Sequence, residues 1–143
     1  MGHRRKAREI ALQVLYEIDV LQIGPDEALD LFWNNFEAPE EARAFSSELV
    51  EGATLHQEEI DGFIAACSDH WSLDRMSRVD RNILRMAVYE LLYCTDIPPK
   101  VTLNEAIDLG KEFGSENSGS FINGVLDALY AKLKNEDGFK DID

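Results

Sequence analysis

Apolar residues recur along this chain at intervals of three and four, the spacing that places side chains on one face of a helix. The first such face comprises Ala7, Ile10, Ala11, Val14, Ile18 and Leu21, and the second comprises Leu29, Phe32, Trp33 and Phe36. Gly24 and Pro25 separate the two faces, and Asp26 can begin the second helix. No useful length of sequence alternates with the period of two that is typical of a strand. The pattern therefore predicts an all-α protein.

A long amphipathic stretch follows over residues 39–67. Pro39 suits the first turn of a helix, and Gly52 or Gly62 is a candidate for a break within the stretch. Trp71 is expected to plug the junction behind it.

Three more helices are predicted over about 79–93, 101–113 and 117–133. The Ile-Pro-Pro sequence of residues 97–99 stops the first of them. Thr102 and Glu105 are candidates for a capping box on the next helix, and Gly114 suits a left-handed cap at its end.

The 143 residues suit a single domain. We expect a bundle of six or seven helices over residues 1–134 and an acidic, flexible tail over residues 135–143. No stretch approaches the roughly 20 apolar residues that span a membrane, and the start does not read as a signal peptide. The expected location is therefore cytoplasmic, where Cys67 and Cys94 act as small buried hydrophobes rather than as a disulfide.

The distribution of charge is uneven. The protein carries a formal net charge of −14, yet Arg4, Arg5, Lys6 and Arg8 crowd into its first eight positions. The first ten residues sum to +3 and the remaining 133 to −17. An acidic body repels a polyanion, whereas a short basic segment attracts one locally. The asymmetry indicates a partner bound at the N-terminus, with nucleic acid as the leading candidate.

Several separate motifs lie in register along residues 4–133. They are RRKARE at 4–9 with ALQ at 11–13 and LY at 15–16, VDRNILRMAVYEL at 79–91, IPPKV at 97–101 with NEA at 104–106, and FG at 113–114 with FINGVL at 121–126. Together they resemble the NusB family of bacterial transcription antitermination factors.

The resemblance implies an all-helical RNA-binding protein built from two helical subdomains, without catalysis. No metal or cofactor is expected from the residues themselves, because Cys67 and His70 have no second Cys/His pair nearby and no Walker loop or dinucleotide fingerprint occurs. The resemblance implies a protein partner, NusE, which is also a ribosomal protein of the small subunit. The two proteins would bind single-stranded boxA RNA, notably in ribosomal RNA leaders, and help RNA polymerase in an antitermination complex. Some members are dimeric when alone, so the resemblance leaves a homodimer of the free protein open.

The N-terminal basic segment is the first candidate site. On one helix Arg4, Arg5 and Arg8 fall within one sector beside the apolar stripe, and Tyr16 lies close to the direction of Arg5. Guanidinium groups suit phosphates and base faces, and an aromatic ring can stack on an unpaired base. The resemblance assigns RNA contact to this segment, including Lys6. A solubility role for the cations and a packing role for Tyr16 remain the alternatives.

The junction over residues 114–120 is the second candidate site. It is small, polar and adjacent to a helix N-terminus, where backbone N–H groups attract anions, and Phe121 beside it could stack on a base. The resemblance favours RNA contact here through Asn117 and Phe121, with Lys100 nearby. The alternative is a loop that only caps helices, with Phe121 in the core. Members of the family often carry Asp where Asn117 stands and a basic residue where Ser120 stands.

A third basic group contains Arg75, Arg78, Arg81 and Arg85. It could be a second RNA track or a partner surface. Because the chain holds 28 acidic residues, pairing within the molecule is the favoured interpretation.

Two other functions compete with an antitermination factor. Some ribosomal RNA cytosine methyltransferases carry a NusB-like domain at their N-terminus, so the chain could be a fragment of such an enzyme. It could also be a helical adaptor that binds only proteins and whose basic start is incidental.

Overall fold

The computed structural model describes residues 2–68 and 71–135, and all regular secondary structure in that part of the chain is helical. The helices are α1 (His3–Leu21), α2 (Pro25–Asn35), α3 (Glu40–Leu55), α4 (Gln57–Ala66), α5 (Arg78–Tyr93), α6 (Pro99–Phe113) and α7 (Ser118–Lys134). One 3₁₀ turn, Leu73–Arg75, precedes α5. The expected all-α bundle is therefore confirmed.

The helices form two groups that share one core. In the first group α1 packs on α2 and α3, and in the second α6 packs on α5 and α7. Helix α5 joins the groups because it also contacts α1, α3 and α4. The continuous apolar cluster contains fully buried side chains from both groups, such as Leu49 of α3, Leu84 of α5 and Leu126 of α7. This arrangement agrees with the two expected helical subdomains.

The long third stretch breaks at His56, between α3 and α4, and not at either glycine. Gly52 instead lies under the ring of Tyr89, where an added Cβ would come within 2.1 Å of a ring carbon. Gly62 is exposed on α4, and an added Cβ would meet nothing within 4 Å. The prediction of a glycine break was wrong because Gly52 serves close helix packing.

Three local expectations near the helix ends were also wrong. Trp71 is 50% exposed and plugs no junction. Thr102 is buried and does not cap α6, whose N-cap residue is Pro98. Gly114 has a φ of −92°, outside the left-handed region. A larger residue does not fit there, because the Ser118 hydroxyl lies where an added Cβ would stand.

Several expectations concern features beyond the helix bundle. The acidic tail lies outside the described residues except for Asn135. Cys94 is buried, Cys67 is half-buried, and the two form no disulfide. In the described ranges, no helix combines the length and apolar character needed to cross a bilayer.

Candidate nucleic-acid interface

The side chain of Arg8 points into the protein core. It is 3% exposed, and its guanidinium group donates two hydrogen bonds to the Glu90 carboxylate, at 2.9 and 2.7 Å. The Thr102 hydroxyl donates a third bond to the same carboxylate, at 3.1 Å. Arg8 therefore links α1 to α5 and α6. Its expected place beside Arg4 and Arg5 as a surface ligand for phosphate is not what the structure shows, because periodicity gives the direction of a side chain but not its partner.

Arg4 and Arg5 do reach the surface, and each forms ion pairs with residues near or on α6. Arg4 Nη2 lies 2.9 Å from an oxygen of Asp96, and the Arg4 side chain is 53% exposed. Arg5 Nε lies 2.8 Å from Glu105, and Arg5 Nη2 lies 2.9 Å from Asp108. The hydrogen bond to Glu105 outweighs partial burial and raises the pKa of Arg5. Arg5 therefore stays cationic but is shared between two carboxylates.

The folded structure cancels most of the positive charge that the sequence concentrates at the N-terminus. The carboxylates paired with the three arginines belong to Glu90, Asp96, Glu105 and Asp108. Three positive groups thus face four negative ones. Two of the bonds join residues separated by 92 and 103 positions, so the neutralisation is invisible in the local sequence.

Lys6 and Tyr16 line a groove of about 630 Å³ that runs along α1, and none of the carboxylates paired with the three arginines lines it. Phe36, after α2, and Phe113, at the end of α6, form other parts of its wall. Tyr16, Phe36 and Phe113 are 41%, 53% and 46% exposed, so three partly accessible rings line this groove. Glu9, Glu17 and Glu37 also line this groove.

Lys100 is exposed in the first turn of α6. A rise of about 1.5 Å per residue places it roughly 20 Å along the helix axis from the end of α6, so it is not a neighbour of the Asn117 corner. It lies instead four residues after Asp96, the partner of Arg4. The expectation that Lys100 sits beside the second candidate site is therefore wrong.

A stripe along α6 connects the two candidate sites. Residues 100, 104, 108 and 111 follow the spacing of one helix face, and they are Lys100, Asn104, Asp108 and Lys111. The last three also line a groove between α6 and α7 together with Gly119, Ser120 and Asn123. Lys111 packs so closely over α7 that a Cβ on Gly119 would lie 2.9 Å from its Cγ. Sequence reasoning missed Lys111, although its spacing from Lys100 was a readable signal.

The junction between α6 and α7 is tightly built. The Ser118 hydroxyl oxygen accepts a hydrogen bond from the backbone N–H of Ser115 at 2.8 Å. Asn117 is exposed and is the N-cap residue of α7, but its side chain makes no capping bond. Phe121 is half-buried against the core. The corner thus offers an exposed amide and the accessible part of one ring.

The third basic group divides into two pairs of residues. Arg81 Nη2 lies 2.7 Å from Asp19, and Arg85 Nε lies 2.8 Å from Asp61, which confirms pairing within the molecule for these two. Arg75 and Arg78 are exposed.

The family model described as "NusB family" matches residues 5–131 of this chain. The chain belongs to the NusB family. The match includes α1 from Arg5 onward and extends into the last turn of α7.

Members of the NusB family with similar sequences are called transcription antitermination proteins. The NusB protein of Syntrophus aciditrophicus is 61% identical over 142 residues, which make up 99% of this chain and 88% of the relative. The NusB protein of Desulfatibacillum aliphaticivorans is 50% identical over 137 residues, or 96% of each chain.

A solved structure of the NusB family shows the same fold in a complex. It contains the antitermination factors NusB and NusE with double-stranded RNA. The match has a TM-score of 0.82 and 34% identity, and it covers 92% of this chain and 98% of the matched chain.

Proposed function

We propose that this protein is a non-enzymatic transcription antitermination factor that binds boxA-type single-stranded RNA together with a NusE-like ribosomal protein, and so supports ribosomal RNA transcription. The names of its relatives support the antitermination role, and the related complex of NusB, NusE and double-stranded RNA supports the pairing with RNA and a NusE-like protein. In it, the protein acts in the cytoplasm as part of an RNA polymerase antitermination complex.

Arg4, Arg5 and Lys6 are the cations that we assign to RNA at the N-terminus. All three reach solvent, whereas Arg8 is enclosed with Glu90. From there the α6 stripe leads to Lys111 and to the corner containing Asn117 and Phe121, where an unpaired base can meet an amide and a ring. The observation that carries the assignment is that Arg4, Arg5 and Lys6 reach solvent on α1, while Arg5 pairs with Asp108 on the same stripe of α6 that holds Lys100 and Lys111.

Three phosphate contacts on a single strand give a log–log salt slope of about −2.1. The affinity should therefore fall about 20-fold between 50 and 200 mM salt, since counterion release follows that slope. The α1 cations alone make a modest binder, which agrees with the need for a second protein that adds positive surface.

The decisive experiment measures binding of a boxA-containing single-stranded RNA by fluorescence anisotropy. We expect Arg4→Ala/Arg5→Ala to lose most of the affinity and to flatten the salt slope by about 1.4. The matched control is Arg75→Ala/Arg78→Ala, which removes the same charge from exposed positions elsewhere. Equal loss in both variants would reject the site, and unchanged binding in the first would reject the RNA assignment of α1.

We assign the aromatic wall of the groove on α1, which contains Tyr16, Phe36 and Phe113, to the protein partner, whereas Lys6, which also lines the groove, stays with the RNA cations. Its exposed aromatic rings suit a dry contact, whereas Glu9, Glu17 and Glu37 repel phosphates and attract a basic protein. This assigns Tyr16 to the partner rather than to a base.

Calorimetric titration with the small-subunit ribosomal protein tests the groove. We expect Tyr16→Ala to weaken that binding at least tenfold while RNA binding by the isolated protein stays the same. Leu55→Ala is the matched control, since Leu55 is 79% exposed but lies outside the groove. A molar mass measured in solution shows whether a homodimer occupies the same groove when the partner is absent. Loss of RNA binding in Tyr16→Ala would return this residue to the RNA site.

A further inference from the structure

Arg5 is held by two carboxylates that differ in their surroundings. Glu105 is 20% exposed and also lies 3.6 Å from the guanidinium group of buried Arg8, so it belongs to the internal network. Asp108 is 48% exposed, and in the described part of the chain its one polar contact is with Arg5, at 2.9 Å. Asp108 is thus the partner that can be exchanged for another anion at little cost to the fold.

Asp108 also occupies the middle of the proposed RNA surface. It lies on the α6 stripe between Lys100 and Lys111, and it lines the groove between α6 and α7 together with Lys111 and Ser120. A phosphate on this surface meets a carboxylate at the point where the cations of α1 and of α6 would otherwise combine.

We propose that Asp108 is an affinity-determining residue of the RNA surface, because its carboxylate competes with the RNA phosphate for the guanidinium group of Arg5. The inference rests on the proposed function. Phosphate and carboxylate bind the same guanidinium fork, and both use charge-assisted hydrogen bonds. The free protein therefore keeps its own anion on Arg5, and RNA binding exchanges one anion for another.

The strength of the competition is limited. Ion pairs between exposed side chains contribute little, since solvent screens them. Removing the competitor should therefore increase the RNA affinity about two- to fivefold, and not by orders of magnitude. The salt slope should stay close to that of the wild type, because Arg5 contacts one phosphate in the bound state of both proteins and only the competing carboxylate is lost.

The test compares three single variants by fluorescence anisotropy with the boxA-containing single-stranded RNA at several salt concentrations. Asp108→Asn removes the competing charge, and Asp108→Glu retains it. Glu9→Gln is the matched control, because Glu9 lies one turn after Arg5 on α1 and forms no ion pair in the described residues. We expect the RNA affinity to increase clearly more in Asp108→Asn than in Glu9→Gln, which shows only the general effect of removing a negative charge. Asp108→Glu should bind RNA with wild-type affinity.

A fourth variant connects the gain to Arg5. In Arg5→Ala/Asp108→Asn the gain should disappear relative to Arg5→Ala, since no guanidinium group remains to be released. Equal gains in Asp108→Asn and Glu9→Gln would overturn the inference, as would weaker binding by Asp108→Asn, which would make Asp108 a residue that positions Arg5. These outcomes leave the proposed function standing, whereas absence of binding by the wild type would reject that function itself.

Discussion

The guanidinium group of Arg8 and the carboxylate of Glu90 meet at 2.7 Å in the interior, with side chains only 3% and 2% exposed. Two parallel hydrogen bonds join them, and Thr102 adds a third to the carboxylate. The pair fixes the first turns of α1 to α5, the helix that joins both halves of the bundle. It therefore also fixes the backbone from which Arg4 and Arg5 project.

Removal of one member of this pair should destabilise the fold. Arg8→Ala leaves the Glu90 charge buried without its main partner, and such changes cost about 3–5 kcal/mol. Urea unfolding followed by circular dichroism measures the loss. Arg4→Ala is the control and should cost less than about 1 kcal/mol, since its ion pair with Asp96 is exposed.

The double variant Arg8→Met/Glu90→Leu checks the cause of that loss. It removes both charges and keeps apolar volume, so it should recover much of the stability lost in Arg8→Ala. If Arg8→Ala were as stable as the wild type but unable to bind RNA, Arg8 would be a surface ligand after all.

Gly52 and Gly62 should respond oppositely to alanine. Gly52→Ala drives a Cβ into the ring of Tyr89 and should cost about 1–3 kcal/mol through overpacking. Gly62→Ala adds a methyl group in open space on a helix, where alanine is favoured by up to about 1 kcal/mol. Thermal unfolding of both variants measures the difference.

A substitution at Tyr89 tests whether its ring is what excludes a side chain at Gly52. In a Tyr89→Leu background the cost of Gly52→Ala should fall, because the colliding ring is gone. An unchanged cost would place the strain elsewhere in α3.

The helices could be predicted from the sequence because their signal is local: the apolar repeat, the Gly-Pro pair at 24–25 and the prolines at 98–99 all act within a few residues. The electrostatics of the site could not be predicted from the sequence in this way. The charge of Arg8 is neutralised by Glu90, 82 positions away, and that of Arg5 by Asp108, 103 positions away. Only the packing of α1 and α6 on α5 brings these groups together, so most of the positive charge of the N-terminal segment is neutralised in the fold.

The two cysteines should differ sharply in reactivity. Burial, with the nearby Glu48 carboxylate, raises the pKa of Cys94 to about 12. At pH 8 only about one Cys94 thiol in ten thousand is a thiolate, the reactive form. Cys67 is half-buried at the end of α4.

A thiol reagent that absorbs light on reaction measures this difference. One equivalent should react readily, and the second should react only as the protein unfolds. Cys67→Ser identifies the fast thiol, since its native form should show the slow phase alone. Rapid modification of that variant would mean that Cys94 is accessible in the folded protein.

Asp19 should make stability depend on pH. Burial raises the pKa of its carboxyl group, but hydrogen bonds from Arg81 and Asn82 outweigh burial and hold the pKa below the ordinary 3.8. A lowered pKa in the folded state means that the carboxylate contributes stability above about pH 4 and loses it as the pH falls through the folded value. Asp19→Asn should therefore be less stable than the wild type by about 1–3 kcal/mol at pH 6, and the difference in stability should close toward pH 2.5.

Urea unfolding at a series of pH values measures this difference. Asp30→Asn is the control, because Asp30 is exposed on α2, and it should stay within about 0.5 kcal/mol of the wild type at pH 6. A gap for Asp19→Asn that persisted unchanged at pH 2.5 would show that the ionised carboxylate is not what joins α1 to α5 at this point.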